Sequence, residues 1–156
     1  MIKINILSID SGTKTGWATL IHGSVDSGIQ DFSLKRGESA GMRFFNFRSW
    51  LNRMLNKFKI DIVIYEQAHH RGGPATMVGV GLVTRIQEEC DIREIQYTPI
   101  HSATLKKFAT GKGNASKNLM IYRAMQKWGD EVIDDNQADA LWLMEYARKE
   151  FDTNET

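Results

Sequence analysis

The sequence predicts an α/β domain built on a mixed five-stranded sheet, three antiparallel strands followed by two parallel ones, with helices on both faces. Three observations lead there. Segments 3–9, 16–22 and 25–33 read as strands and follow one another with room only for turns, so they form an antiparallel meander. From residue 38 onward helical and strand patterns alternate, and strands separated by helices pair most easily in parallel. The 156-residue length suits one domain, expected over 1–151, with 152–156 as a disordered tail.

The elements follow in order. Residues 3–9 alternate and end at Asp10. Segments 16–22 and 25–33 join near His22-Gly23-Ser24, a hairpin signal. Over 38–58, Phe44, Phe47, Leu51, Met54, Leu55 and Phe58 recur at helical spacing. Residues 61–66 are a short apolar strand ending in Glu66. After a loop from His69 to Pro74, the proline suits the first turn of a helix running to about Glu89. Ile92 to Tyr97 reads as a fifth strand. Helical pattern resumes over 102–108, breaks at Gly111-Lys112-Gly113-Asn114, and returns over 116–128 and 134–150. The helix at 74–89 carries Ala75, Gly79 and Gly81, which permit close packing against either a second copy of the chain or its own sheet.

Charge is unevenly placed. From His101 to Lys127 there are six basic residues and no acid, whereas Trp128 to Thr156 holds nine acids against Arg148 and Lys149. A net charge of +1 thus hides a basic segment suited to a polyanion and acids suited to a cation. The stretch 34–60 is also basic, with seven such residues against Glu38, but these are scattered around a helix and equally fit a solvated face. No apolar run approaches the roughly 20 residues of a membrane span. Met1–Asn5 runs directly into a strand without signal-peptide layout, and the single Cys90 cannot form an intrachain disulfide, so a reducing cytosol is the expected compartment.

The chemistry is carried by acids. Asp10 closes the first strand and opens a turn with Gly12 and Gly16, read as leaving its front face open to a phosphate. Glu66 closes the fourth strand. Asp135 and Asp139 lie four apart on the last helix and share a face, as Asn136 and Asp139, three apart, nearly do. If the two strands are neighbours and the helix crosses their ends, these carboxylates converge and repel. Hard divalent cations with oxygen ligands, Mg²⁺ or Mn²⁺, relieve that repulsion. Two such ions about 3.5–4 Å apart can activate water and stabilise the leaving oxygen of a phosphodiester. Each acid also has a bland role. Asp10 could bond its own turn, Glu66 could be a solvated strand end, and Asp134 with Gln137 could form a capping box beside Asp135.

The motifs resemble a known family. Ile9-Asp10-Ser11-Gly12 followed by Thr15-Gly16-Trp17-Ala18 looks like the first motif of RuvC-type Holliday junction resolvases, of the ribonuclease H-like superfamily. Ile64-Tyr65-Glu66-Gln67 looks like their second acidic motif, Leu105-Lys106-Lys107 with Gly111–Ala115 and Lys117 like their basic DNA-contacting segment, and Asp135–Leu141 like their closing acidic helix. The motifs stand in the family's order and span 4–147. Motif spelling and length look more like a phage or mobile-element member, which would place the protein in the host cytosol.

The resemblance implies a crossover junction endodeoxyribonuclease, homodimeric, leaving 5′-phosphate ends and using two Mg²⁺ or Mn²⁺ ions per site. By match of motif, Asp10, Glu66 and Asp139 are catalytic metal ligands. The fourth ligand is Asp135 or, at the family's usual spacing, Asn136. Lys117 and Lys106 match lysines near the scissile phosphate, and Lys107 and Lys112 extend the DNA-binding segment. Where the family often has an aromatic residue three positions after the second acid, this chain has His69, followed by His70 and Arg71. Histidine stacks on bases less strongly than phenylalanine, so flaps and forks join four-way junctions as expected substrates. Two other classes share parts of this pattern. A branched-DNA-binding protein with little or no cleavage shares the same surface. An actin-like ATPase or kinase has a similar first loop but needs a second lobe.

Overall fold

The computed structural model describes residues 3–69 and 72–151. His70, Arg71 and the expected tail at 152–156 lie outside the described residues.

The sheet is mixed, in the spatial order β3-β2-β1-β4-β5. β1 (Ile6–Asp10), β2 (Lys14–Ile21) and β3 (Ser24–Asp31) form the antiparallel meander, and β4 (Ile62–Glu66) and β5 (Gln96–Ile100) run parallel to β1. β2 and β3 are joined by the two-residue turn His22-Gly23, whose φ angles of 48° and 83° are those of a primed hairpin turn. Between β3 and β4 runs α1 (Gly41–Lys57), and between β4 and β5 runs α2 (Pro74–Arg93). Then come α3 (Ser102–Thr110), α4 (Lys117–Trp128) and α5 (Asp135–Phe151).

The central strands are buried on both sides, which is why β1 and β4 read as continuous apolar runs. Side chains alternate between faces along each strand. Leu7, Ile9, Val63 and Tyr65 enter the core shared with α1 and α2, including Phe47, Leu51 and Ile86. Ile6, Ile62 and Ile64 enter the opposite core, with Leu105, Met120 and Leu141 from α3, α4 and α5. Ser8, Asp10 and Glu66 share the parity of this second set, so both strand-end acids belong to the α5 face.

Among the boundaries that differ from the sequence reading, two change the placement of named residues. β2 begins at Lys14 instead of 16, so Gly16 lies inside the strand and pairs with Asp10. β5 begins at Gln96, because α2 continues to Arg93 and Ile92 is an exposed helical residue. The small residues of α2 divide. A Cβ on Gly81 would overlap the Phe44 ring of α1, so this glycine admits a neighbouring helix of the same chain, while Ala75 stays exposed.

Candidate metal centre and the cleft beside it

The site forms where β1 and β4 end beneath the start of α5. Parallel pairing sets Ile9 opposite Tyr65, so Asp10 and Glu66 leave the sheet side by side. The turn after Asp10 is fixed by Thr15, whose buried hydroxyl donates to the Gly12 carbonyl at 2.8 Å and accepts from the Gly12 N–H at 3.3 Å. Phe32 N–H donates to the Thr13 carbonyl at 2.7 Å and ties the turn to the end of β3.

Three features bring α5 down onto these strands. Gly16 has no side chain where one would overlap the backbone carbonyl of Asn136, so the first turn of α5 rests directly on β2. Ser8 Oγ donates to the Ala140 carbonyl at 2.6 Å, a buried bond from β1 to the helix. Asp134 caps the helix, accepting from Asn136 N–H at 2.7 Å and Gln137 N–H at 3.3 Å. The expected capping box is only half made, since Gln137 Oε1 accepts from Ile133 N–H at 3.3 Å instead of from its capping partner. Gly16 therefore does not open the front of Asp10 to solvent. It admits the helix that brings a third acid.

That acid is Asp139, set between the buried Ala138 and Ala140. Carboxylate oxygens of Asp10, Glu66 and Asp139 all lie within 4.8 Å of one another. Burial raises the Asp10 carboxyl well above its usual range, and the charges of Glu66, Asp139 and Asp135 raise it further. Asp139 is pushed up to about 7, first by burial and then by Glu66 and Asp135, while Lys106 and Lys117 pull it back. An all-oxygen donor set whose members cannot comfortably ionise together fits a divalent hard cation.

The remaining expected residues among those described stand in different relations to this group. Asp135 is outside the cluster of three and is held 3.6 Å from the Lys117 ammonium, yet close enough to raise both Asp10 and Asp139. Asn136 lies beside it, with its N–H committed to Asp134. Lys106 borders the site from α3. Lys107 and Lys112 are exposed, Lys112 in the turn that Thr110 Oγ1 closes at 3.1 Å. His69 is exposed with Nε2 3.6 Å from Glu66 Oε1.

A cleft of about 940 Å³ opens beside the acids. Its lining includes Asp10 and Glu66, Pro74, Val78 and Gly79 of α2, His101 just ahead of α3, and Lys106 within α3. Of its lining, Gln67 entered the sequence reading only as the last residue of the second motif and His101 only as the start of the basic segment, and neither was given a role. Their signal was positional: Gln67 follows the second acid, and His101 follows β5, whose Ile100 lies opposite Glu66.

No protein-family model matches the sequence, and no curated protein matches it. Solved structures do. Thermus thermophilus RuvC matches at a TM-score of 0.71 and 18% identity, over 94% of this chain and 96% of that one. T. thermophilus RuvC in complex with Holliday junction substrate matches at 0.76 and 18%, over the same shares. The yeast mitochondrial Holliday junction resolvase Ydc2 matches at 0.58 and 13%, over 94% of this chain and 84% of that one. Strand order, helix placement and these superpositions together give the chain the ribonuclease H-like α/β fold of RuvC.

Proposed function

We propose that the protein is a metal-dependent, structure-selective endodeoxyribonuclease that nicks Holliday junctions and other branched DNA. The observation that carries this reading is the convergence of Asp10, Glu66 and Asp139 from β1, β4 and α5 within 4.8 Å. The likeness in fold to two resolvases, one of them bound to a Holliday junction, supports the choice of substrate.

Asp10, Glu66 and Asp139 hold two Mg²⁺ or Mn²⁺ ions, with Asp135 or Asn136 completing the set. Bound there, such ions supply a water of lowered pKa and neutralise charge on the scissile phosphate. The chain's own residues do the rest. Asp10, fixed by the Thr15-tied turn, keeps its carboxylate at a set height above the sheet. Lys106 and Lys117 approach from α3 and α4 and offset charge as the phosphate reacts. Lys107 and Lys112 bind backbone phosphates farther along the duplex. A homodimer would place two such sites for symmetric nicking. No helix among the described residues is long and apolar enough to cross a membrane, and we place the enzyme with DNA in the cytoplasm.

The test is a labelled four-way junction, a flap and a linear duplex incubated in Mg²⁺ or Mn²⁺ with wild type and Asp10→Asn. The wild type nicks the branched substrates, leaving 5′-phosphates, and the variant binds without cutting. Equal cutting by both removes Asp10 from the ligand set. Binding without nicking by the wild type leaves a branched-DNA-binding protein.

A further inference from the structure

We propose that the outer edge of β3 is a docking strand for an extended segment of a second protein, one that alternates basic and apolar residues. The inference is independent of the nuclease reading and concerns the edge of the sheet opposite β5.

An uncovered edge strand presents a row of N–H and C=O groups, and proteins blunt such edges with proline, lysine, a bulge or a very short strand. β5, at one side of the sheet, carries Pro99. β3, at the other side, uses none of these devices. It runs eight residues, Ser24–Asp31, without proline or lysine, and pairs with β2 at every position without a break. Two hydrogen bonds fix which groups point outward. Phe32 N–H donates to the Thr13 carbonyl at 2.7 Å, on the β2 side. Main-chain groups alternate along an antiparallel strand, so Val25, Ser27 and Ile29 turn theirs away from β2. Ser27 N–H agrees, since it donates at 2.8 Å to the carboxylate of Asp26. That bond is a local stand-in, which the carbonyl of an added strand can replace.

The side chains say what the added strand carries. Val25 and Ser27 lie opposite Leu20 and Ala18, which enter the core beneath α5, so Val25, Ser27 and Ile29 share that face. Beside them stands Ile133, 82% exposed. Its loop is held against β3 by Gln137, which accepts from Ile133 N–H at 3.3 Å and donates to Ser27 Oγ at 3.1 Å. Val25 is exposed as well, so apolar side chains on this face of an added strand gain cover for both. Asp26 is exposed on the opposite face, where a basic side chain fits. The alternation of the partner follows from these two faces.

Charge selects a protein over DNA. β3 and the loop 129–134 carry Asp26, Asp31, Asp130, Glu131 and Asp134 and no basic residue. Such an edge repels a phosphate backbone and attracts lysine and arginine. The lysines Lys106 and Lys107 belong to α3, which starts immediately after β5 at the other side of the sheet.

The test is a titration of the full chain, followed by amide NMR, with a capped peptide of alternating lysine and valine as long as the eight residues of β3. Two control peptides accompany it. One has glutamate in place of lysine. The other has every main-chain nitrogen methylated, which keeps the charge and prevents strand pairing. The lysine–valine peptide shifts the amide signals of Val25, Ser27 and Ile29 and slows their hydrogen exchange, and neither control does. Asp26→Lys weakens binding roughly fivefold, the scale of one reversed surface charge pair. Ile133→Ser also weakens it, and since both positions are exposed, neither variant changes the melting temperature. Equal binding of the methylated peptide reduces the effect to charge attraction and overturns the proposal. So do an absence of binding, and shifts that leave β3 unaffected. Protection of the β3 amides that grows with protein concentration, in the absence of peptide, makes the occupant a second copy of the chain and overturns it as well.

Discussion

The charge crowding at the acids predicts an inverted pH dependence of stability in metal-free protein. Burial and the charges of Glu66 and Asp135 push the Asp139 carboxyl up to about 7 in the folded chain, well above the usual carboxylate range. The folded state therefore holds this proton more tightly than the unfolded chain does. The stabilisation is fully present below the unfolded pKa and is lost as pH rises through about 7. Each unit of separation corresponds to about 1.36 kcal/mol, so two units of pH below 7 give about 2.7 kcal/mol. Because the carboxyl is only partly buried, screening reduces the expected gain to roughly 1–2 kcal/mol. Asp10 is raised by the same cause and adds in the same direction.

The assay is thermal unfolding followed by circular dichroism, in EDTA, between about pH 5 and about pH 8. For a domain of this size a kcal/mol moves Tm by roughly 2–4 °C, so this site contributes about 2–8 °C of extra stability at the acidic end. Other groups titrate in that window, so the quantity to read is the difference between wild type and Asp139→Asn. The variant lacks the titration, melts higher than wild type at the alkaline end, and approaches it at the acidic end. Added Mg²⁺ reverses the trend in wild type, since the ion needs ionised carboxylates and its stabilisation grows with pH. Parallel curves for wild type and Asp139→Asn in EDTA would refute the claim that these acids share one crowded site.

Two further substitutions separate the frame from the chemistry. Gly16→Ala puts a methyl group into the Asn136 carbonyl, and because both partners are backbone, relief requires moving α5. The expected cost is about 3 kcal/mol, read as a fall in Tm of roughly 6–12 °C, with loss of Mg²⁺-induced stabilisation because Asp139 moves with the helix. An unchanged melting curve sinks the close approach. Glu89, buried on α2, receives Arg48 from α1 at 3.1 Å and Arg93 at 3.4 Å, far from the acids. Glu89→Ala lowers stability by about 2 kcal/mol, less than for a fully buried pair because both arginines reach solvent. Its Mg²⁺-induced rise in Tm stays at the wild-type size, and loss of that rise would tie the α1–α2 network to the site.

The site was legible in the sequence where strand patterning and chemistry coincide. Asp10 and Glu66 each terminate an apolar strand, and local pattern suffices to place an acid at a strand end. Whether the two meet depends on β1 and β4 being neighbours, which the helix between them made the simplest arrangement. The boundary of β5 was misplaced for a local reason. α2 ends without a C-terminal glycine: Glu94 takes the left-handed conformation at φ 58°, and Ile95 N–H closes on the Cys90 carbonyl at 2.8 Å. A non-glycine residue in that conformation leaves no stop signal, so the alternation from Ile92 to Tyr97 read as strand. The role of Gly16 was hidden for a different reason. Its requirement comes from Asn136, more than a hundred residues away, and local pattern gives only a glycine in or near a turn. Its effect is nonetheless the larger one for function. Asp10 and Glu66 alone make a pair of strand ends, and the third carboxylate arrives only because β2 lets α5 rest against its backbone. A glycine that seemed to leave space for a phosphate instead leaves space for the helix that supplies Asp139.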